Sequence, residues 1–235
     1  MSNYGKLLNN LSTLKLFRIK DKLDEYIDLI NTNKKDIVDS LYELTNLEID
    51  VMNEKKIKHS IQFAGFPFYK TFDDFDFSFQ PSINKEEILD FKNLRFIEKA
   101  ENILFVGSPG VGKTHLATAI GIENAKSNHS TYFTNCNDLI QSLKKAFLQN
   151  RLDDKLKTLS KYKLLIIDEV GYLPIDIEAA NMLFQLINKR YEKASTIITT
   201  NKPFAKWGEL FGDLTIANAI LDRLLHHSHI INING

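Results

Sequence analysis

One glycine-rich stretch has the residue types and spacing of a phosphate-binding loop. The residues that match the pattern G-x-x-x-x-G-K-[ST] in full are Gly107, Ser108, Pro109, Gly110, Val111, Gly112, Lys113 and Thr114. Residues 102–106, which are apolar after Asn102, predict a buried strand before the loop, and residues 115–125 predict a helix after it. In that setting the loop amides and the helix N-terminus point at one spot, which attracts anions. The complete match argues against the alternative, a chance glycine turn.

The last residues of the loop have definite expected roles. We expect Lys113 to neutralise the β- and γ-phosphates of a nucleotide and the Thr114 hydroxyl to bind Mg²⁺. His115, which follows directly, is included in the predicted nucleotide site.

A second apolar run ends in two carboxylates. Residues 163–167 predict a strand buried on both faces, and Asp168 and Glu169 follow it. Asp168 is placed to hold Mg²⁺, usually through water, and Glu169 to orient and polarise an attacking water. Proteins that transfer phosphoryl groups mainly position groups and stabilise charge, so this division of labour is reasonable. The alternative is an acidic cap or turn after a core strand, which the complete loop upstream disfavours.

Two further polar residues are candidates, each with an open alternative. Asn201 follows the predicted strand 195–200 and is either a hydrogen-bond partner of the γ-phosphate or the water, or a turn residue. Arg223 lies near the end of the last predicted helix. It forms either a surface ion pair with Asp222 or Glu209, or an arginine finger that reaches the γ-phosphate of a neighbouring subunit.

Other kinds of catalytic site are not indicated. The spacing of His226, His227 and His229 fits neither a helical i, i+4 pair nor a ligand pattern with cysteine, so we predict no metal site there. The pattern Gly-x-Ser-x-Gly of serine hydrolases is absent from the sequence.

Composition and charge limit the classes of partner. The 235 residues include 30 basic and 30 acidic side chains, so no global field attracts nucleic acid or an anionic membrane. Contact with DNA must come from local basic faces or from several subunits together. The single cysteine, Cys136, excludes an internal disulfide. Because no apolar run approaches the roughly 18 residues of a membrane span, and no secretory signal is evident, we expect a cytoplasmic protein.

Three basic clusters are candidate contact surfaces, although each is more simply explained as a solvated helix face. They consist of Lys55, Lys56, Lys58 and His59; of Lys144, Lys145 and Arg151; and of Lys155, Lys157 and Lys161.

The pattern along the chain predicts three segments. Residues 1–62 predict two or three short helices that form a small N-terminal domain for partner or DNA contact. Residues 63–83 are rich in Phe, Asp and turn residues and predict an extended linker. We expect its phenylalanines to pack on the following domain, and the alternative is that one of them also lines an adenine pocket. Residues 84–235 form the third segment, which begins with a predicted helix over 84–99.

The third segment alternates between strands and helices. The predicted strands are 103–107, 131–134, 163–168, 195–200 and 229–233, and the predicted helices are 114–126, 137–149, 152–161, 176–193 and 216–226. Such alternation predicts an α/β fold with a five-stranded parallel sheet and helices on both faces. Ligands bind such sheets at the carboxyl ends of the strands, where the glycine loop lies.

These motifs, in this order, resemble an AAA+ P-loop ATPase, and longer stretches resemble the IstB family. Those stretches are Phe-Asp-Asp-Phe-Asp-Phe-Ser-Phe-Gln-Pro from residue 72, Leu-Arg-Phe-Ile-Glu from 94, Asp-Glu-Val-Gly-Tyr-Leu-Pro from 168, Thr-Thr-Asn-Lys-Pro-Phe-Ala-Lys-Trp from 199 and Leu-Asp-Arg-Leu-Leu-His-His-Ser from 221. Members of that family are helper ATPases of IS21-type transposons and relatives of DnaC-type helicase loaders. The resemblance covers nearly the whole chain.

The resemblance implies roles at matching positions. Lys113 and Thr114 match the Walker A residues, Asp168 and Glu169 match the Walker B pair, Asn201 matches sensor 1, and Arg223 matches the arginine finger that acts in trans. The cofactors implied are ATP and Mg²⁺. The family usually continues beyond the position of Gly235 with a Ser-Tyr-Arg-like tail, so we expect a short or absent C-terminal lid.

The family mechanism leaves two functions open. ATP would join subunits into an oligomer that bends or wraps duplex DNA, marks a target site and recruits the transposase. The alternative is a replicative helicase loader, which would bind a helicase and single-stranded DNA. A scaffold that does not hydrolyse ATP is a third possibility, and the intact Glu169 and Arg223 argue against it.

Overall fold

The computed structural model describes residues 2–234 and divides the chain into two compact units, residues 1–59 and 60–235. The first unit is helical. Its helices are α1 (Asn3–Thr13), α2 (Phe17–Asn31) and most of α3 (Ile37–Phe63). The prediction of short helices was wrong for the third, which has 27 residues. No proline or glycine interrupts it, so no residue in it breaks the helix before the turn at Gly65 and Pro67.

A buried carboxylate joins two helices of the first unit. The amino end of α2 lacks a side-chain cap of its own. Glu48 of α3 supplies one, because its Oε1 accepts hydrogen bonds from the backbone N–H groups of Arg18 and Ile19, the latter at 3.1 Å. Glu48 is thereby buried with its charge facing the positive end of a helix.

The second unit contains a five-stranded parallel sheet, which confirms the predicted fold class. Its strands are β1 (Asn102–Gly107), β2 (Thr131–Asn135), β3 (Leu164–Val170), β4 (Ser195–Thr200) and β5 (Ser228–Ile233), in the spatial order β2-β3-β4-β1-β5. All four neighbouring pairs are parallel. Because β4 lies between β1 and β3, the ends of these three strands are adjacent at one edge of the sheet.

Helices cover both faces of this sheet. They are α4 (Lys85–Asp90), α5 (Arg95–Glu98), α6 (Lys113–Lys126), α7 (Cys136–Leu148), α8 (Leu152–Ser160), α9 (Ile177–Arg190), α10 (Trp207–Phe211) and α11 (Leu214–Leu225). Alternate residues of β3 enter opposite cores, as the two-residue period of a strand requires. Leu165 and Ile167 pack with α7 to α11. Leu164 and Ile166 pack with α6 and with the Phe-rich residues 63–83, called the aromatic segment below. Helix α10 was not predicted.

The predicted helix over residues 84–99 is broken in two. Asn84 caps α4, since its Oδ1 accepts from the N–H of Glu86 at 3.0 Å. The chain then reverses at Leu94, whose φ of +55° is left-handed. The break allows Phe91 and Phe96 to be buried together, with ring centres 5.7 Å apart. Packing of these aromatic side chains overrides the local helical pattern.

Candidate functional site

The sheet order brings three groups of predicted site residues to one edge of the sheet. The glycine loop follows β1, the acidic pair ends β3, and Asn201 follows β4, which lies between them. This is the carboxyl edge of a parallel sheet, where ligands of such folds bind.

Two glycines of the loop are required by close neighbours. A Cβ at Gly107 would lie 2.1 Å from the Ile233 carbonyl oxygen of β5. Gly112 has a φ of +96°, and a Cβ there would lie 2.5 Å from the Phe75 ring. The loop is therefore seated against β5 on one side and an aromatic side chain of the preceding segment on the other.

The aromatic segment lies directly on the phosphate loop. Phe72 is buried, and Phe75 contacts both the loop and the His115 ring, whose centre is 5.2 Å away. The Nε2 atom of His115 lies 2.8 Å from the Thr71 carbonyl oxygen. This arrangement agrees with the expected packing on the following domain, and it places Phe75 as the aromatic side chain next to the loop.

Lys113 is buried inside the loop that it is expected to serve. Its Nζ donates to the carbonyls of Gly107 at 2.8 Å and Ser108 at 2.7 Å. Burial lowers the pKa of the Lys113 amine, and the nearby carboxylates of Asp168 and Glu169 oppose that shift. Loop carbonyls thus hold the ammonium in a position from which it can turn to an anion.

The side chains of Thr114 and Asp168, the two residues predicted to bind Mg²⁺, lie next to each other. The Thr114 hydroxyl lies 3.0 and 3.1 Å from the two carboxylate oxygens of Asp168, which is buried. Hard oxygen donors of this kind, few in number and able to leave room for water, are what Mg²⁺ prefers. The donor set therefore fits the expected ion.

Glu169 lies in a β-bulge. Between the pairs Ile167–Ile198 and Val170–Thr200, β3 contains two residues where β4 contains one. The φ of Glu169 is +61°, in the left-handed region that non-glycine residues seldom adopt. Such bulges re-aim side chains and are common beside active sites.

Two residues that the sequence analysis did not single out contact the acidic pair. The Asn135 side chain donates to the Glu169 carboxylate, and the Thr199 hydroxyl donates to Asp168 Oδ1 at 2.5 Å. Both stand at the carboxyl ends of strands that flank β3. The position of a residue at a strand end indicates contact with the acidic pair only when the order of the strands is known.

Asn201 is placed at the same edge with an unused acceptor. Its Oδ1 is buried and has no hydrogen-bond partner among residues 2–234. A buried acceptor of this kind needs a donor from elsewhere, such as a ligand or a water.

Arg223 is not part of this cluster. Its neighbour Leu224 accepts, through its carbonyl, a hydrogen bond from Asn102, the first residue of β1, whereas the glycine loop follows the last. Arg223 therefore lies at the amino edge of the sheet, opposite the loop. Its guanidinium is 4.6 Å from the Tyr191 ring centre and 3.3 Å from Asp222, the predicted ion-pair partner.

The histidines near Arg223 form a surface cluster. Ligand atoms of Glu192, His226 and His227 lie within 4.8 Å of one another, and all three residues are exposed. Tyr191 adds a hydrogen bond of 2.7 Å to His226 Nδ1. His229 instead lies 3.0 Å from Glu101, at the start of β1.

Among residues 2–234, no helix combines the length and the apolar character needed to cross a bilayer.

The chain is similar in sequence to ATP-binding proteins of insertion sequences. The family model described as IstB-like ATP binding protein matches residues 9–235. A protein of insertion sequence IS232 from Bacillus thuringiensis subsp. berliner is 53% identical over 234 residues, which cover 100% of this chain and 94% of that protein. A protein of insertion sequence IS21 from Pseudomonas aeruginosa is 41% identical over 225 residues, which cover 96% and 85%. Both are named as ATP-binding proteins.

Solved structures share the fold. The DnaC helicase loader is 28% identical with a TM-score of 0.54, covering 63% of this chain and 86% of that one. DnaA from Aquifex aeolicus, solved with AMPPCP bound, is 18% identical with a TM-score of 0.59, covering 72% of this chain and 51% of that one. The second likeness concerns the fold alone. Together they identify the sheet and its helices as an AAA+ fold.

Proposed function

The chain belongs to the family of IstB-like ATP-binding proteins, and from this premise we propose that it hydrolyses ATP, assembles on duplex DNA and assists transposition of an IS21-type element. The observation that carries the proposal is the convergence of Lys113, Thr114, Asp168 and Glu169 at one edge of the sheet. Its link to transposition rests on relatives from insertion sequences that match nearly the full length of the chain.

The nucleotide is held by the loop and its lysine. On binding, Lys113 exchanges the carbonyls of Gly107 and Ser108 for phosphate oxygens, while the loop amides and the α6 N-terminus bind the rest of the anion. Thr114 and Asp168 would hold Mg²⁺, which supplies neutralisation of charge on the β- and γ-phosphates.

The attacking water is oriented by two side chains in this proposal. Glu169 accepts its proton, after the Glu169 carboxylate leaves the amide of Asn135 that holds it here. The unpartnered Oδ1 of Asn201 accepts a second hydrogen bond from the water or its surroundings. Both groups are then in position before charge develops, and such preorganised groups are how proteins stabilise the transition state of phosphoryl transfer.

Arg223 completes the site of a neighbouring subunit in this proposal. It lies at the edge of the sheet opposite its own loop, so it cannot serve its own nucleotide in this conformation. A contact between opposite edges of successive subunits is head-to-tail, and such contacts generate rings or filaments. The Tyr191 ring and Asp222 hold the guanidinium at the surface until that contact forms.

Duplex DNA would be bound by many subunits together. The chain has no net charge, and Lys144 of one basic cluster is already paired with Asp176. Repetition of the remaining basic residues around an oligomer would supply the phosphate contacts. Such contacts carry no base information, so we expect weak sequence preference.

The helicase-loader function remains the second candidate, because the DnaC loader shares the fold at 28% identity. The two candidates differ in the nucleic acid bound. We therefore test assembly on a long duplex and on a matching single strand, with and without a non-hydrolysable ATP analogue, and measure particle mass in parallel. We expect high-mass particles on the duplex only with the analogue and with no helicase added.

A variant defective in nucleotide binding provides the control for that experiment. Lys113→Ala should remain of low mass under every condition, because the loop loses the charge that neutralises the phosphates. Preference for the single strand, or assembly only with an added helicase, would favour the loader. Equal assembly with and without nucleotide would contradict the proposed role of ATP.

Replacing Arg223 with alanine should lower ATP hydrolysis in the assembled state about 1,000-fold, since arginine fingers contribute at least that much. Nucleotide binding by the single subunit should be unchanged. Arg95→Ala, which removes an exposed arginine from α5, is the matched control and should keep the wild-type rate. Steady-state phosphate release in the presence of duplex DNA measures the effect.

Mixing variants distinguishes a finger that acts in trans from a local structural role. Arg223→Ala retains a complete nucleotide site, whereas Glu169→Gln retains the finger. Mixed oligomers contain interfaces with both parts intact, so their activity should exceed that of either variant alone. Failure to recover activity in mixtures that still assemble would contradict the trans assignment.

A further inference from the structure

One hydroxyl at the site contacts both acidic residues. Thr199 opposes Asp168 and Glu169 across the bulge, is 1% exposed, and comes from the strand between β3 and β1. Its Oγ1 accepts the backbone N–H of Glu169 at 2.9 Å and donates to Oδ1 of Asp168 at 2.5 Å. A hydroxyl has a single proton to donate, so Thr199 commits that proton to Asp168.

The bulge explains why this hydroxyl is needed. An extra residue in a strand loses its ladder partner, and a buried N–H without a partner is costly. The Thr199 hydroxyl replaces the missing ladder acceptor for Glu169. The left-handed φ of Glu169 is a strained conformation that persists only where its surroundings hold it.

The same hydroxyl restrains the carboxylate expected to face the metal. The Asp168 Oδ1 atom accepts a hydrogen bond from the Thr199 hydroxyl, and the Thr114 hydroxyl lies within hydrogen-bond distance of both carboxylate oxygens. Hydroxyl groups from β4 and α6 therefore fix the plane of the carboxylate. Partners of this kind, one shell behind a metal ligand, orient it and tune its affinity.

We propose that Thr199 is a positioning residue for ATP hydrolysis, whose hydroxyl sets the Asp168 carboxylate for Mg²⁺ and the Glu169 backbone for activation of water. This inference rests on the proposed ATPase function. Thr199 does not touch the nucleotide in this account; it acts through the two residues that do. Serine can make the same two hydrogen bonds, whereas valine has the shape of threonine and can make neither.

Three variants test the inference. In Thr199→Val we expect kcat to fall 10–100-fold, the range found for residues that orient metal ligands. We also expect the factor by which Mg²⁺ increases nucleotide affinity to fall about 10-fold. This factor, the Mg²⁺ enhancement, is the Kd in EDTA divided by the Kd in Mg²⁺. The Kd in EDTA should not change. Thr199→Ser should restore both quantities.

Thr118→Val is the matched control. Thr118 is fully buried in α6, and its hydroxyl has no partner among residues 2–234, so its replacement removes the same atoms without removing a hydrogen bond. It should leave kcat and the Mg²⁺ enhancement unchanged, and it should not lower the melting temperature, because an unpartnered buried hydroxyl is replaced by a methyl group. Thr199→Val is compared with it at equal concentrations of folded protein.

The outcomes separate this inference from the proposed function. A Thr199→Val protein that melts earlier but keeps the wild-type kcat and Mg²⁺ enhancement would show a purely structural role and overturn the inference. Wild-type protein that binds nucleotide but does not hydrolyse it would contradict the ATPase function. In that case the Mg²⁺ enhancement of binding still decides whether Thr199 positions Asp168.

Discussion

Replacing Glu169 with glutamine should lower kcat for ATP hydrolysis at least about 100-fold, the usual contribution of a general base. The amide keeps the size of the carboxylate and can still accept the hydrogen bond from Asn135, but it cannot take a proton from water. The bulge and the Thr199 contact involve the backbone of Glu169, so they should persist. Nucleotide affinity should therefore change by less than about twofold.

Steady-state phosphate release and titration with a fluorescent nucleotide measure the two quantities. Glu178→Gln is the matched control, since it removes the same charge from an exposed position in the first turn of α9. It should keep the wild-type kcat. A Glu169→Gln protein with the wild-type rate would show that another group activates the water.

Replacing Arg190 with methionine should lower the free energy of unfolding by about 3 kcal/mol, because several buried acceptors lose their donor together. The guanidinium donates to Thr196 Oγ1 at 3.0 Å and to the carbonyls of Leu159 and Tyr162 at 2.9 Å each. It also donates to the Ser195 carbonyl. These bonds join the end of α8, the segment that enters β3, and the start of β4.

Arg190 has no carboxylate within ion-pair distance in the described part of the chain, and it is 1% exposed. Burial lowers the pKa of its guanidinium to about 9, which leaves it charged at neutral pH. The four acceptors therefore take the place of a counter-ion. Lysine cannot reach them in the same planar arrangement, so Arg190→Lys should recover only part of the loss.

Urea unfolding followed by the fluorescence of the buried Trp207 measures this effect. The control is Lys189→Met, which changes the neighbouring residue, a partly exposed lysine 3.8 Å from Asp153. Its free energy of unfolding should stay within about 0.5 kcal/mol of the wild type. Equal midpoints for the two variants would contradict the structural role of Arg190.

The sequence alone determined the parts of the site that are contiguous in the chain. The eight loop residues, the strand before them and the helix after them are consecutive in the chain, so their types and spacing alone predict a phosphate-binding loop. The alternation of apolar strands and amphipathic helices likewise determined a parallel sheet, because each strand buries both faces. Asp168 and Glu169 could be placed at a strand end for the same reason.

Tertiary structure decided the contacts between segments that are far apart in the chain. The order β2-β3-β4-β1-β5 places β4 between the loop and the acidic pair, and only that order makes Thr199 their neighbour. It likewise gives Asn135 its contact with Glu169. The break at Leu94 follows from packing of aromatic side chains, not from local propensity.

The position of Arg223 shows the same division most clearly. Its place near a helix end could be predicted, but its separation from the loop could not, because it depends on which edge of the sheet α11 approaches. Local patterns specify elements through periodicity and capping, which involve residues a few positions apart. The strand order and the bulge depend on the packing of the whole sheet, so local sequence patterns do not predict them.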